Sequence, residues 1–196
     1  MTEKEKFYVF SGIEHTLMGT DYLNEFYGRL GYRLGYVRTD KECMESLNYL
    51  LESLEEKFDT VLVITSGKRE NQSACLEYLK YNGLRYDKPI FFTKFVAGPR
   101  GEKIVDFLEE QGTTPLEFHK APLYVKMLKY FKDNPDFKNY VVLDQPKSEI
   151  SKYIPHKQYK KINTRKGLTL KDANSVLIQN GIEPKFPEKP SQKGEE

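Results

Sequence analysis

The residues best placed to do chemistry follow a short apolar run. Phe7-Tyr8-Val9-Phe10 gives way to Ser11-Gly12-Ile13-Glu14-His15-Thr16. Four apolar residues in a row read as a buried strand, and the Ser-Gly pair ends it. In an open parallel sheet, ligands bind at the carboxyl ends of strands, so residues 11–16 are the first candidate site. A nucleophilic Ser11 would need a base within hydrogen-bond reach, and Glu14 and His15 are the local choices. Two further apolar runs end in polar groups: Val61–Ile64 in the hydroxyl pair Thr65-Ser66, and Tyr140–Leu143 in the carboxylate of Asp144. His119 and His156 stand alone, without metal-ligand spacing, and read as surface or packing residues.

Amphipathic helices alternate with these strands. Asp40 is a good N-cap for a helix over 41–57, with Met44, Leu47, Leu50, Leu51 and Leu54 on one apolar face. A helix over 71–81 stops at Asn82-Gly83, and residues 88–93 read as a further strand. Gly98-Pro99-Arg100-Gly101 breaks the chain before a helix at 102–111, ended by Gly112. Residues 115–118 read as a short strand or a packed connection, and 122–133 as another helix. A short strand near 159–162 precedes a last helix over 170–180, capped by Thr169 and ended by Gly181. Residues 19–40, rich in Gly and aromatics, read as a loop or small flap, or as an ordinary packed excursion. Alternating strands and helices predict an α/β fold, a parallel sheet with helices on both faces. Residues 7–10, 60–65, 89–92 and 140–144 are expected to be its adjacent strands.

A chain of 196 residues fits one domain, taken as 1–182, followed by a mobile polar tail over 183–196. Fourteen Tyr and twelve Phe without Trp read as core and half-buried aromatics rather than base-stacking platforms. A formal charge of +2 means that nucleic acid is not indicated by charge, and Lys68-Arg69 and Lys157–Lys161 read as solvated residues. Cys43 and Cys75 fall on predicted helices and suit buried, reduced thiols. No apolar run approaches roughly 18 residues and no leader begins the chain, so the expectation is a cytoplasmic protein without a membrane partner.

The order of these segments resembles the haloacid dehalogenase (HAD) superfamily of phosphohydrolases. Its first motif, a strand followed by Asp-x-Asp-Gly-Thr-Leu, is similar to Gly12-Ile13-Glu14-His15-Thr16-Leu17. Thr16 and Leu17 match outright and Glu14 is a conservative replacement, but Gly12 stands where the family has its aspartate nucleophile. The second motif, a Ser or Thr after an apolar strand, falls on Ser66, with Thr65 as its rival. The third, a cation, falls on Arg100, with Lys103 and Lys120 as alternatives. The fourth, an acidic pair, falls on Asp144-Gln145 with its second acid replaced. Together with Gly167-Leu168-Thr169 and the helix after it, the pattern is most similar to the HAD-like domains of "Swiss Army knife" RNA-repair proteins.

The resemblance implies a HAD-like Rossmannoid fold with little or no cap. It places Glu14, Ser66, Arg100 and Asp144 around one cleft. Glycine cannot form the acyl-phosphate intermediate, so the implied function is that of a degenerate, non-catalytic relative. Such a domain would bind a phosphorylated small molecule or a protein partner, with Ser66, Arg100 and helix-start N–H groups holding the phosphate. The rival is an active phosphohydrolase or phosphotransferase on nucleotides or RNA ends, with unconventional catalytic residues. No cofactor is implied beyond weakly held Mg²⁺, for which Asp144 is the main remaining carboxylate.

Overall fold

A computed structural model describes residues 3–13, 15–27, 38–65, 72–92, 138–144 and 154–186. In it, apolar runs become strands: β1 (Lys6–Ser11), β2 (Asp59–Ile64), β3 (Phe91–Phe92), β4 (Asn139–Asp144) and β5 (Tyr159–Lys161). The described helices are α1 (Thr20–Tyr27), α2 (Lys41–Glu55), α3 (Gln72–Tyr81) and α4 (Leu170–Gln179). The strands form one sheet in the order β3-β2-β1-β4-β5. Every pairing is parallel. The fold is therefore α/β and Rossmann-like, and the four expected strands are neighbours.

β1 is central, which explains its continuous apolar run. One face, through Phe7 and Val9, joins Leu62, Ile64, Val141 and Leu143 in a core that also takes in Leu47, Leu50, Leu54, Leu79 and Val176 from α2, α3 and α4. The other, through Tyr8 and Phe10, joins Val63, Val142, Ile154 and Tyr159. Phe7 through Phe10 are all at most 4% exposed, so the central strand is interior on both sides. At about 1.5–3 kcal/mol for each fully buried large aliphatic or aromatic side chain, this double-sided burial is a main source of stability.

α2 begins where Asp40 accepts a hydrogen bond from the Glu42 N–H at 2.9 Å. Its buried face is wide enough to include the polar Asn48, whose amide donates to the Gly83 carbonyl and accepts from the Arg85 N–H. That side chain ties the turn after α3 back onto α2.

Three expectations are adjusted. Residues 20–27 form helix α1, which agrees with the packed excursion and not with the loop or flap; Met18 and Leu23 pack together under it, with Ile13 and Tyr22. β3 is shorter than expected, because Pro89 has no N–H to give to a ladder. Lys185 N–H donates to the Tyr49 hydroxyl and the Phe186 carbonyl accepts from Asn174, so residues 185–186 are held on α2 and α4 beyond the boundary placed at 182. The expected elements at 102–111, 115–118 and 122–133 lie outside the described residues, as do the segments that bear on a cap. Among the described residues, no helix is long and apolar enough to cross a membrane.

Candidate functional site at the carboxyl ends of the strands

The strand order reverses direction between β1 and β4. β1 connects outward to β2 and β3, and the chain then returns to lay β4 on the other side of β1. In an open α/β sheet this switch point opens a crevice at the carboxyl ends, and Ser11, Gly12 and Asp144 stand there.

Register places the side chains. Ser11 is paired with Ile64 on one side and Leu143 on the other. The next residues are Thr65, Gly12 and Asp144, and the Thr65 N–H donates to the Ser11 carbonyl at 3.0 Å, carrying the ladder one step further. Asp144 is paired with Lys161. Side chains alternate along each strand. With Phe10, Val63, Val142 and Tyr159 on one face, Asp144 and Lys161 fall on that same face as register partners. Continued one step past the ends of β1 and β2, the alternation adds positions 12 and 65 to give a transverse row, Thr65–Gly12–Asp144–Lys161. The row holds a hydroxyl, a position without a side chain, a carboxylate and an ammonium.

Ser11 is fully buried, and its hydroxyl donates to the Gly12 carbonyl at 3.0 Å. That hydroxyl closes off a strand end and does not present an open nucleophile. The Leu17 N–H then donates to the Ile13 carbonyl at 3.0 Å, which closes a tight turn. Inside the turn His15 adopts φ +62°, the left-handed region that L-residues rarely occupy. Its Nδ1 is buried and has no hydrogen-bond partner among the described residues.

The closing segment clamps this turn. The Leu168 N–H donates to the Thr16 carbonyl at 2.7 Å, and the Thr20 N–H and hydroxyl both donate to the Thr164 carbonyl at 2.9 Å. The Asp21 N–H donates to the Arg165 carbonyl at 2.9 Å. Gly19 is required here, because a Cβ would lie 2.3 Å from the Arg165 carbonyl oxygen. Gly167-Leu168-Thr169, singled out in the sequence, thus packs directly against the loop that follows β1.

Of the residues expected around the cleft, Asp144 stands at the switch point, half-buried, its carbonyl accepting from the Ile162 N–H at 2.8 Å. Glu14, Ser66 and Arg100 lie outside the described residues, as do Lys103, Lys120 and Gln145. Thr65, the rival of Ser66, is in the row. Lys161 was missed: a three-residue strand is too short to show a period, so it read as part of a solvated run.

A Mg²⁺ ion needs several hard oxygen ligands. Among the described residues Asp144 is the sole carboxylate of the row, and no three His, Cys, Asp or Glu residues gather to hold a metal. A separate cavity of about 290 Å³ is lined by Asn48, Glu52, Glu55, Arg85 and Lys88. It lies towards the amino end of β2, and its two cations are paired: Arg85 with Glu45 and Glu52, Lys88 with Glu55 and Asp59.

The chain matches no family model, no curated protein and no solved structure.

Proposed function

We propose that this is a HAD-like domain without phosphatase chemistry, which binds a phosphorylated ligand at the carboxyl ends of β1, β2 and β4. One observation carries the reading. At the switch point, beside Asp144, the position at which the HAD resemblance requires a nucleophilic carboxylate is Gly12. Without a side-chain atom there, no covalent phosphoryl intermediate can form at that position. What remains around it suits binding: the Thr65 hydroxyl can donate to a phosphate oxygen, and the Lys161 ammonium can balance its charge.

Inorganic phosphate titrated into labelled protein is expected to shift the Gly12 and Thr65 amide resonances. Aryl phosphate and 3′- or 5′-phosphorylated oligonucleotides should turn over no faster than background, and Mg²⁺ should bind no tighter than millimolar by calorimetry. Gly12→Asp restores a carboxylate beside Asp144 and should tighten Mg²⁺ binding. Turnover by the wild type that is abolished in Glu14→Gln or Ser11→Ala would make the protein an unconventional enzyme. Amide shifts confined to other parts of the sheet would remove the site.

A further inference from the structure

The overall charge of +2 hides a strong local imbalance. From His156 to Lys171 there are six Lys or Arg residues and no Asp or Glu, in a chain with 31 basic and 29 acidic residues. The fold gathers the segment along one rim: the 3₁₀ turn His156–Gln158, strand β5, the turn after it and the start of α4. Lys160 pairs with Asp172 at 3.2 Å and Arg165 with Asp21 at 3.0 Å, so two carboxylates also stand on this rim. Lys157, Lys161 and Lys166 are exposed and have no acidic partner among the described residues.

The backbone beneath these three lysines is fixed. β5 is laddered to β4. The turn after it is closed by the Gly167 N–H on the Asn163 carbonyl at 2.8 Å and the Arg165 N–H on the Asn163 side chain at 2.9 Å. The same turn is clamped to Thr20 and Asp21. A charge array on a fixed backbone meets a polyanion with little ordering cost. Lys161 also ends the row Thr65–Gly12–Asp144, so the rim runs into the switch point.

We propose that this rim is a phosphodiester-binding surface on which Lys157, Lys161 and Lys166 hold the backbone of a single-stranded nucleic acid. The chemistry of the segment favours that occupant over an anionic membrane. A membrane-surface element sets large apolar side chains beside its cations. Here Tyr159, Ile162 and Leu168 are buried, and the one exposed large apolar side chain in the segment is Leu170, at 38%. The inference stands apart from the proposed loss of catalysis: the rim is read by oligonucleotide affinity, the Gly12 site by phosphate shifts and turnover.

Fluorescence anisotropy of the full chain with labelled twelve-nucleotide oligo(dT) and oligo(U) tests it. Affinity is expected to fall roughly 20-fold between 50 and 200 mM salt if three phosphates are neutralised, at a slope of about 0.7 per phosphate for a single strand. Lys157→Gln, Lys161→Gln and Lys166→Gln combined should bind at least tenfold more weakly and lower the salt slope by about two. The same three positions changed to Arg should keep the affinity, and a thermal melt of each variant checks that the fold is intact. Equal binding by the Gln variant, or no oligonucleotide binding at 50 mM salt, overturns the proposal. So does binding to phosphatidylserine vesicles in the absence of any binding to the oligonucleotides.

Discussion

At the scale of single residues, His15 is the most constrained position near the site. Its φ of +62° is a conformation that costs an L-residue about 1–2 kcal/mol, although His bears it better than most. Relief of that strain in His15→Gly is set against the greater freedom that glycine gives the unfolded chain, about 0.5–1 kcal/mol. His15→Gly is therefore expected to match or slightly exceed the wild type in urea unfolding. His15→Val, β-branched and crowded in the left-handed region, should lose about 1–2 kcal/mol. Equal stability of the two variants would mean that the turn is not held left-handed in solution. The turn matters because it sets how the chain leaves Gly12 and reaches the clamp at Thr16.

Among the elements, α4 shows most clearly how a local signal is put to long-range use. Thr169 and Asp172 form a reciprocal capping box: the Asp172 N–H donates to the Thr169 hydroxyl oxygen at 3.3 Å, and the Thr169 N–H donates to the Asp172 carboxylate at 3.1 Å. The other carboxylate oxygen of Asp172 reaches Lys160 on β5 at 3.2 Å, a pair only 21% and 15% exposed. One acidic side chain thus starts the helix and joins it to the sheet edge. Thr169→Ala is expected to cost about 1 kcal/mol, the usual value of a lost N-cap. Asp172→Ala should cost more, because it also leaves Lys160 unpaired in a poorly solvated place. Chemical denaturation of both single variants and the double variant measures their coupling. If Asp172→Ala costs no more than Thr169→Ala, the link to β5 adds nothing.

For the molecule as a whole, the junction around Cys43 ties distant stretches of chain together. Cys43 opens α2, its thiol donates to the Lys166 carbonyl at 3.4 Å, and Gly167 packs so closely that a Cβ would meet the sulfur at 2.6 Å. Gly167 also has φ +73°, so no other residue suits the place. Burial, with the Asp40 charge nearby, pushes the Cys43 thiol from its usual value near 9 up to about 12. The unfolded chain then loses this proton first. Stability from Cys43 is complete below pH 9 and is lost as pH rises towards 12. Burial raises the Tyr86 hydroxyl from 10.0 to about 12 as well, which adds to the upper part of that loss. Urea midpoints taken from pH 7 to 10.5 should be level at first and then fall above about pH 9. Cys43→Ala should flatten the early part of the decline. An unchanged decline in that variant would show that the thiol is not the group responsible.

Element types were legible in the residue pattern because they depend on local chemistry. Four apolar residues before Ser11-Gly12, the Asp40 and Thr169 caps, and the stops at Asn82-Gly83 and Gly181 each act within a few positions. The alternation of strands and helices was enough to imply a parallel sheet. Gly12 and Asp144 could be singled out from the sequence, but only the strand order sets them side by side, because that adjacency depends on pairing across more than 120 residues. The same pairing moves Lys161 from a charge run to the edge of the site, and gives Thr65 a place in the row. Helix α1 went unread because its apolar positions, Leu23 and Tyr22, take their meaning from Ile13 and Met18 outside the helix. The clamp between Thr20 and Thr164 leaves no trace in composition or period, since it is made mostly by backbone groups that every residue carries. Local sequence decided the type of β1, β2, β4, α2, α3 and α4; tertiary pairing decided which residues meet.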